Sequence, residues 1–428
     1  MPIVRVITRS AQCPTLEVDG KAQAMSVRLP AGTMPLRPSR ADLPAPKASV
    51  FDVTTCEAML PADATRASVA GEPLPLPKAQ PRRIVLLGDT GCTVNANYKV
   101  FQACDDPALW PYRRVADSAA ATAPDLVIHV GDYHYRESPC APGNAGCAGS
   151  PWGYGFDAWQ ADFFEPSKKL LAAAPWIVIR GNHESCNRAG QGWWRFLDPR
   201  AVNVKQTCND PADDAIGNYS DPYAVPLGRG SDTQVLVFDS SWTGVNPYTP
   251  TDVQYRNYRT QFEAVFALGA RTPKAFFVAH HPVLGFAANP RDPQNPFPGN
   301  RGLQSVLEPM YPGVLFPANV EAVLSGHNHL LEVVSFVTAH PPQFITGHGG
   351  DWLDHPFPVP FPAGKEPAPG AVVAQMISSD RFGFMTMDRE PDGWAMRAFD
   401  VDGKPVATCT LRARKASCSP VLNLPAKS

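Results

Sequence analysis

Seven times between residues 82 and 350 the chain runs through four to six apolar, mostly β-branched residues and then stops in Gly, Asp, Asn or His. The segments are RRIVLLGDTG, DLVIHVGDYHY, PWIVIRGNHES, TQVLVFDSS, KAFFVAHHP, VEAVLSGHNH and PQFITGHGG. Apolar runs this short and this continuous read as strands buried on both faces. Helix candidates such as YRRVADSAAATA and FEPSKKLLAAA stand between several of them, and strand–helix alternation implies an α/β layered core. Functional groups in such sheets gather at the carboxyl ends of the strands, so the polar clusters are expected to converge. The last part, FGFMTMD, GWAMRAFDVDG and ATCTLRA, reads as antiparallel strands closing a second sheet.

Residues 1–80 have a different texture. IVRVIT alternates at period two, TLEVDGKAQAM contains a Val-Asp-Gly-Lys hairpin signal, and SVFDVTT and TRASVAG are short β candidates broken by prolines. They are expected to form a small β-rich N-terminal domain or extension, joined by PLPLPKAQP to a main domain over 81–428. Nothing in residues 1–80 carries chemistry, so structural support is their expected role.

The formal net charge is −2 over 428 residues, and no block of Lys or Arg occurs, so neither nucleic acid nor an anionic membrane is an expected partner. No apolar stretch of about 18 residues is present, so no membrane span is expected. The 47 prolines indicate a loop-rich protein with fixed turns. The ten cysteines, even in number and without a C-x-x-C spacing, argue for disulfides. Nearest-neighbour pairing would join Cys13 to Cys56, Cys92 to Cys104, Cys140 to Cys147, Cys186 to Cys208 and Cys409 to Cys418. Such a framework implies a periplasmic or secreted protein. No apolar leader follows Met1, so the expectation is that a signal peptide has been trimmed.

A Gly-Asp after a strand is by itself only a turn. Here, however, Asp89, Asp132, Tyr135, Asn182, His183, His280, His281, His327 and His329 all fall at the ends of five expected strands. Carboxylates, imidazoles and a carboxamide oxygen suit borderline-hard ions such as Fe, Zn or Mn. Two such ions roughly 3.5–4 Å apart need one shared carboxylate and further ligands of their own, which this inventory supplies.

The ordered motifs GDTG at 88–91, GDYHY at 131–135, GNHE at 181–184, HHP at 280–282 and GHNH at 326–329 resemble those of calcineurin-like metallophosphoesterases, and more narrowly of purple acid phosphatases. The resemblance covers residues 82 to about 400. It implies a four-layer α/β/β/α sandwich and a dinuclear centre. The first ion would be held by Asp89, Asp132, Tyr135 and His329, the second by Asp132, Asn182, His280 and His327, with Asp132 as the bridge. Tyr135 implies Fe(III), partnered by Fe(II), Zn(II) or Mn(II). His183 would supply a proton to the leaving group or stabilise the transition state.

The implied activity is hydrolysis of a small-molecule phosphate monoester by a metal-bound hydroxide, with a phosphodiesterase of the same fold, acting on nucleotide or phospholipid head-group esters, as the alternative. His134 and His348 are candidate phosphate contacts lining the cleft. Trp152, Tyr154, Trp193 and Trp194 are candidates to stack on a leaving group, and Arg188 or Arg195 to meet a phosphate oxygen. His281 is expected in the core or behind the ligands, Glu184 as an orienting group, Asp239 as structural and Tyr133 as packing. Neither the physiological ester nor the oligomeric state is written in these motifs.

Overall fold

A strand that is apolar on both faces needs a layer on each side. The computed structural model, which describes residues 2–37 and 46–420, provides both. One seven-stranded sheet has the spatial order Trp176–Val178, Leu126–His129, Arg83–Leu87, Gly383–Glu390, Gly393–Asp400, Pro405–Arg412 and Lys415–Pro420. The other runs Tyr223–Pro226, Thr233–Phe238, Lys274–Ala279, Val320–Ser325, Gln343–Thr346, Leu331–Phe336 and Val373–Ser379. The first three strands of the first sheet are parallel. So are Thr233–Phe238, Lys274–Ala279, Val320–Ser325 and Gln343–Thr346 of the second.

Period-two alternation sorts each strand between two cores. Ile84, Leu86, Ile128 and Ile177 face inward and meet Val235, Val237, Phe276, Val278 and Phe344 of the opposing sheet. Val85, Leu87 and Val127 face outward onto Tyr112, Val115, Ala116 and Ala119. Those four residues form one stripe of the helix Tyr112–Ala121. On the far side, Leu236, Phe238 and Phe277 pack against Tyr258, Phe262, Val265 and Phe266 of the helix Val253–Gly269. The result is the expected α/β/β/α sandwich.

The C-terminal strands differ from the sequence reading. They extend the sheet that carries the first three motifs, because Gly383–Glu390 pairs antiparallel with Arg83–Leu87. That pairing gives Arg83–Leu87 a partner on each side, so this strand beneath Asp89 presents no open edge.

The N-terminal region is β-rich, as expected. Ile3–Thr8, Thr54–Met59 and Ser26–Leu29 make one small sheet, and Lys21–Ala24, Thr15–Val18, Ala67–Val69 and Glu72–Pro73 another. Asp19 and Gly20, with φ of 50° and 78°, make the tight turn that the Asp-Gly pair predicts. Val4, Leu16, Val18, Met25, Cys56 and Ala58 form a core of their own. Arginines cross the junction with the main body, Arg28 and Arg195 among them. Arg28 donates to the carbonyls of Trp194, Asp198 and Arg200, and Arg195 donates to those of Leu29 and Pro30.

All five disulfides join nearest-neighbour cysteines as expected. Among the described residues no helix is long and apolar enough to cross a membrane. The inter-sheet core is held by contacts such as Phe276 edge-on to Trp394, with ring centroids 5.5 Å apart. Phe276→Ala is expected to cost about 3–5 kcal/mol in urea unfolding. A loss under about 1 kcal/mol would mean that this core is not well packed.

Candidate metal centre

Because the motif-bearing strands run parallel within each sheet, their carboxyl ends come to one edge of the sandwich. The first sheet delivers Asp89, Asp132 and Asn182, and the second delivers His280, His327 and His329. Asp89, Asp132 and His327 each follow a glycine and adopt left-handed backbone, with φ of 56°, 57° and 71°. Such φ values are uncommon for residues with a side chain and concentrate at functional sites. The loops approach so closely that glycine is required beside the carboxylates. A Cβ on Gly181 would lie 2.0 Å from Asp132 Oδ1, and one on Gly326 would lie 2.3 Å from Asp89 Oδ2.

The donor atoms form two groups joined at one oxygen. In the first, Tyr135 Oη lies 3.1 Å from Asp89 Oδ1, 3.0 Å from Asp132 Oδ2 and 3.0 Å from His329 Nε2. In the second, Asn182 Oδ1 lies 3.0 Å from His280 Nε2 and 2.9 Å from His327 Nδ1. Asp132 Oδ2 belongs to both, since it is also 3.1 Å from His280 Nε2. Residues i and i+2 of a regular strand share a face. The left-handed turn at His327 breaks that regularity, and His327 and His329 reach different groups.

The hydrogen bonds behind the rings show what the front atoms can do. His280 Nδ1 donates to the Val130 carbonyl at 2.9 Å, and His329 Nδ1 to the Trp352 carbonyl at 2.7 Å. Nε2 is therefore the front atom of each ring. Burial lowers both imidazoles, but Asp132 raises His280 to about 9 and Asp351 raises His329, and a bound cation would take the place of the Nε2 proton. Two carboxylates, a phenol, a carboxamide oxygen and imidazole nitrogens converging in a buried site make a donor set that suits a borderline-hard cation. Charge tells the same story. Burial pushes the Asp89 carboxyl up. Burial, then the charges of Asp132 and Asp89, push the Tyr135 phenol well above its ordinary value. A bound cation reverses that logic. Burial would raise Asp132 too, but His280 and then His183 hold it well below the usual carboxylate range.

Glu184 orients the loops, as the sequence led us to expect. It accepts from the backbone N–H groups of Asp132, Tyr133 and Gly181 at 2.9–3.1 Å. Burial, then the nearby Asp132, push its carboxyl up to about 8.

His183 lies at the edge of the cluster. Its backbone N–H donates to Asp132 Oδ1 at 2.8 Å, its Nδ1 lies 3.1 Å from the His134 carbonyl, and its ring centroid is 3.9 Å from that of Tyr135. Burial and then Arg188 push the imidazole down to about 3. The rings of His134 and His348 are placed differently from the sequence expectation. His134 is fully buried, with Tyr154 and Trp159 beside it, and reaches the site only through its carbonyl. His348 is also buried, and neither ring nitrogen has a hydrogen-bond partner among the described residues. Neither ring presents surface to a phosphate in this conformation.

Trp193 and Trp194 belong to the core. Tyr133 stacks on His129 with centroids 3.9 Å apart. His281 Nδ1 meets Ser240 Oγ at 3.1 Å, and Asp239 pairs with Arg180 at 3.5 Å. Sequence reasoning missed two acids. Asp351 Oδ2 lies 3.3 Å behind His329 Nδ1, and its position in the strand-end segment GHGGDW was a usable signal. Glu137 pairs with Arg188 across 51 residues, a contact that leaves no mark in the sequence.

Residues 82–331 match the family model described as calcineurin-like phosphoesterase. The chain belongs to this family, which implies a dinuclear metal site. It is 24% identical over 320 residues to purple acid phosphatase 23 of Arabidopsis thaliana, covering 69% of this chain and 58% of that protein. The chain thus spans less than two thirds of the length of this relative. Its fold is similar to that of the purple acid phosphatase PPD1 from yellow lupin (Lupinus luteus) seeds, with a TM-score of 0.53 and 15% identity over 96% of this chain and 72% of that one.

Gly181→Ala tests the packing around the shared carboxylate. The added methyl must displace Asp132, so purified variant protein is expected to carry fewer metal equivalents than the parent while keeping its circular dichroism. Full metal content in the variant would contradict this geometry.

Proposed function

We propose that this chain hydrolyses small-molecule phosphate monoesters at two metal ions, in the manner of purple acid phosphatases. The observation that carries the reading is Asp132 Oδ2, which lies within 3.1 Å of both Tyr135 Oη and His280 Nε2. On this reading Asp89, Asp132, Tyr135 and His329 hold one ion, and Asp132, Asn182, His280 and His327 hold the other. Tyr135 as a phenolate favours Fe(III) in the first position, with Fe(II), Zn(II) or Mn(II) in the second. When bound, the pair supplies Lewis acidity, activating water and offsetting charge on the phosphoryl oxygens.

The protein's own groups do the rest. Asp132, held by Glu184 and by the N–H of His183, fixes the two donor sets at one separation. His183 hydrogen-bonds the departing oxygen and passes it a proton. Its depressed basicity is relieved when an anionic ester arrives beside it, since a nearby negative charge favours the imidazolium. Residues 1–80 serve as a supporting domain and 81–428 as the catalytic domain, a division supported by the separate small core of the N-terminal sheets. Five disulfides with no free cysteine support a periplasmic or secreted location.

His183→Ala is expected to lower kcat on p-nitrophenyl phosphate about 10²–10⁴-fold with both metals retained. Undiminished turnover would remove His183 from the chemistry. The parent should prefer p-nitrophenyl phosphate to its bis ester, and a large preference for the bis ester would replace the monoesterase reading with a diesterase one. In protein loaded with iron, the visible absorption band should vanish in Tyr135→Phe. A band that survives unchanged would refute the phenolate.

A further inference from the structure

We propose that Arg188 grips a phosphoryl oxygen beside His183 and that Glu137 holds it in place to do so. The inference rests on the phosphoesterase reading above and names the group that takes the anion. Arg188 Nε meets Glu137 Oε1 at 2.5 Å, and the two side chains are 5% and 4% exposed. Arg188 Nη2 lies 2.6 Å from both ring nitrogens of His183. His183 Nε2 in turn lies 3.9 Å from Asp132 Oδ2, so the guanidinium stands one imidazole away from the shared carboxylate. A guanidinium carries five donors. Among the described residues its contacts to Glu137 and His183 use only Nε and Nη2.

The other buried arginines near the motifs are committed elsewhere. Arg136 pairs with Asp162 at 2.6 Å. Arg180 donates to the Glu184 and Gly217 carbonyls. Arg195 reaches the N-terminal region. A buried ion pair is a poor way to stabilise a fold, because desolvation consumes most of its attraction. A planar cation poised next to a dinuclear centre is, by contrast, well suited to a phosphate, whose paired oxygens match its fork.

The support is rigid. Asn95 Nδ2 donates to Glu137 Oε2 at 2.7 Å. Asn95, Glu137 and Arg188 come from three loops, and each lies within three residues of a disulfide, Cys92–Cys104, Cys140–Cys147 and Cys186–Cys208 respectively. Three stapled loops therefore order the guanidinium before the ligand arrives, which lowers the entropy lost on binding.

The test is calorimetric titration of inorganic phosphate into metal-loaded parent, Arg188→Ala, Arg188→Lys and Glu137→Gln proteins, with metal analysis of each. Metal content should stay at the parental level. Phosphate affinity should fall roughly 10–100-fold in Arg188→Ala, the value of a charge-assisted contact. Arg188→Lys should weaken binding as well, because one ammonium cannot hold Glu137 and reach the phosphoryl oxygen at once, and Glu137→Gln should weaken it by loosening the guanidinium. KM for p-nitrophenyl phosphate should rise in parallel. Parental affinity in Arg188→Ala, or in Arg188→Lys if the alanine variant does not fold, would overturn the proposal. So would metal loss in these variants, since Arg188 would then only support the ligand loops. A parent that binds phosphate through Arg188 but hydrolyses no ester would sink the monoesterase reading alone. A parent that hydrolyses the ester while its variants bind phosphate as tightly would sink this inference alone.

Discussion

The carboxylate of Asp132 is buried among groups from both sheets, and the rest of the site is arranged around it. Its backbone turns left-handed just after Gly131, and its N–H is held by Glu184. One oxygen accepts from His183 N–H, and the other lies between Tyr135 and His280. A buried anion is costly unless hydrogen bonds and opposite charge offset it. The His183 N–H, the Tyr135 hydroxyl and His280 contribute to that offset, and on the proposed reading a metal pair would complete it.

The sandwich makes this arrangement possible by dividing the chemistry between its halves. Carboxylates, phenol and carboxamide come from the first sheet, and the three imidazoles come from the second. Neither half holds a complete donor set, so the inter-sheet core of Ile84, Ile128, Phe276 and their neighbours is also what brings the site together. The disulfides act at the next level. Those near Asn95, Glu137 and Arg188 tie down the loops around His183.

Much of this was readable from the residues. Strands buried on both faces announce themselves as short unbroken apolar runs, and the glycines and acids at their ends mark where the chain turns at the site. Nearest-neighbour pairing of the cysteines agrees with the five disulfides, the pair 43 residues apart included. The placement of the C-terminal strands was not readable, because apolar alternation says which face is buried but not which neighbour a strand chooses. The rings of His134 and His348 are buried where cleft contacts were expected, for a related reason. Both stand beside motif residues, but next to a tight turn a neighbour in sequence can point into the core. The Glu137–Arg188 pair escaped notice because only the folded loops bring its members together.

The central claim is that one oxygen of Asp132 serves two ions. Anomalous diffraction from crystals of metal-loaded protein tests it directly. Two peaks roughly 3.5–4 Å apart are expected, one beside Asp89, Tyr135 and His329 and the other beside Asn182, His280 and His327, with Asp132 between them. A single peak, or two peaks of which only one touches Asp132, would contradict the account.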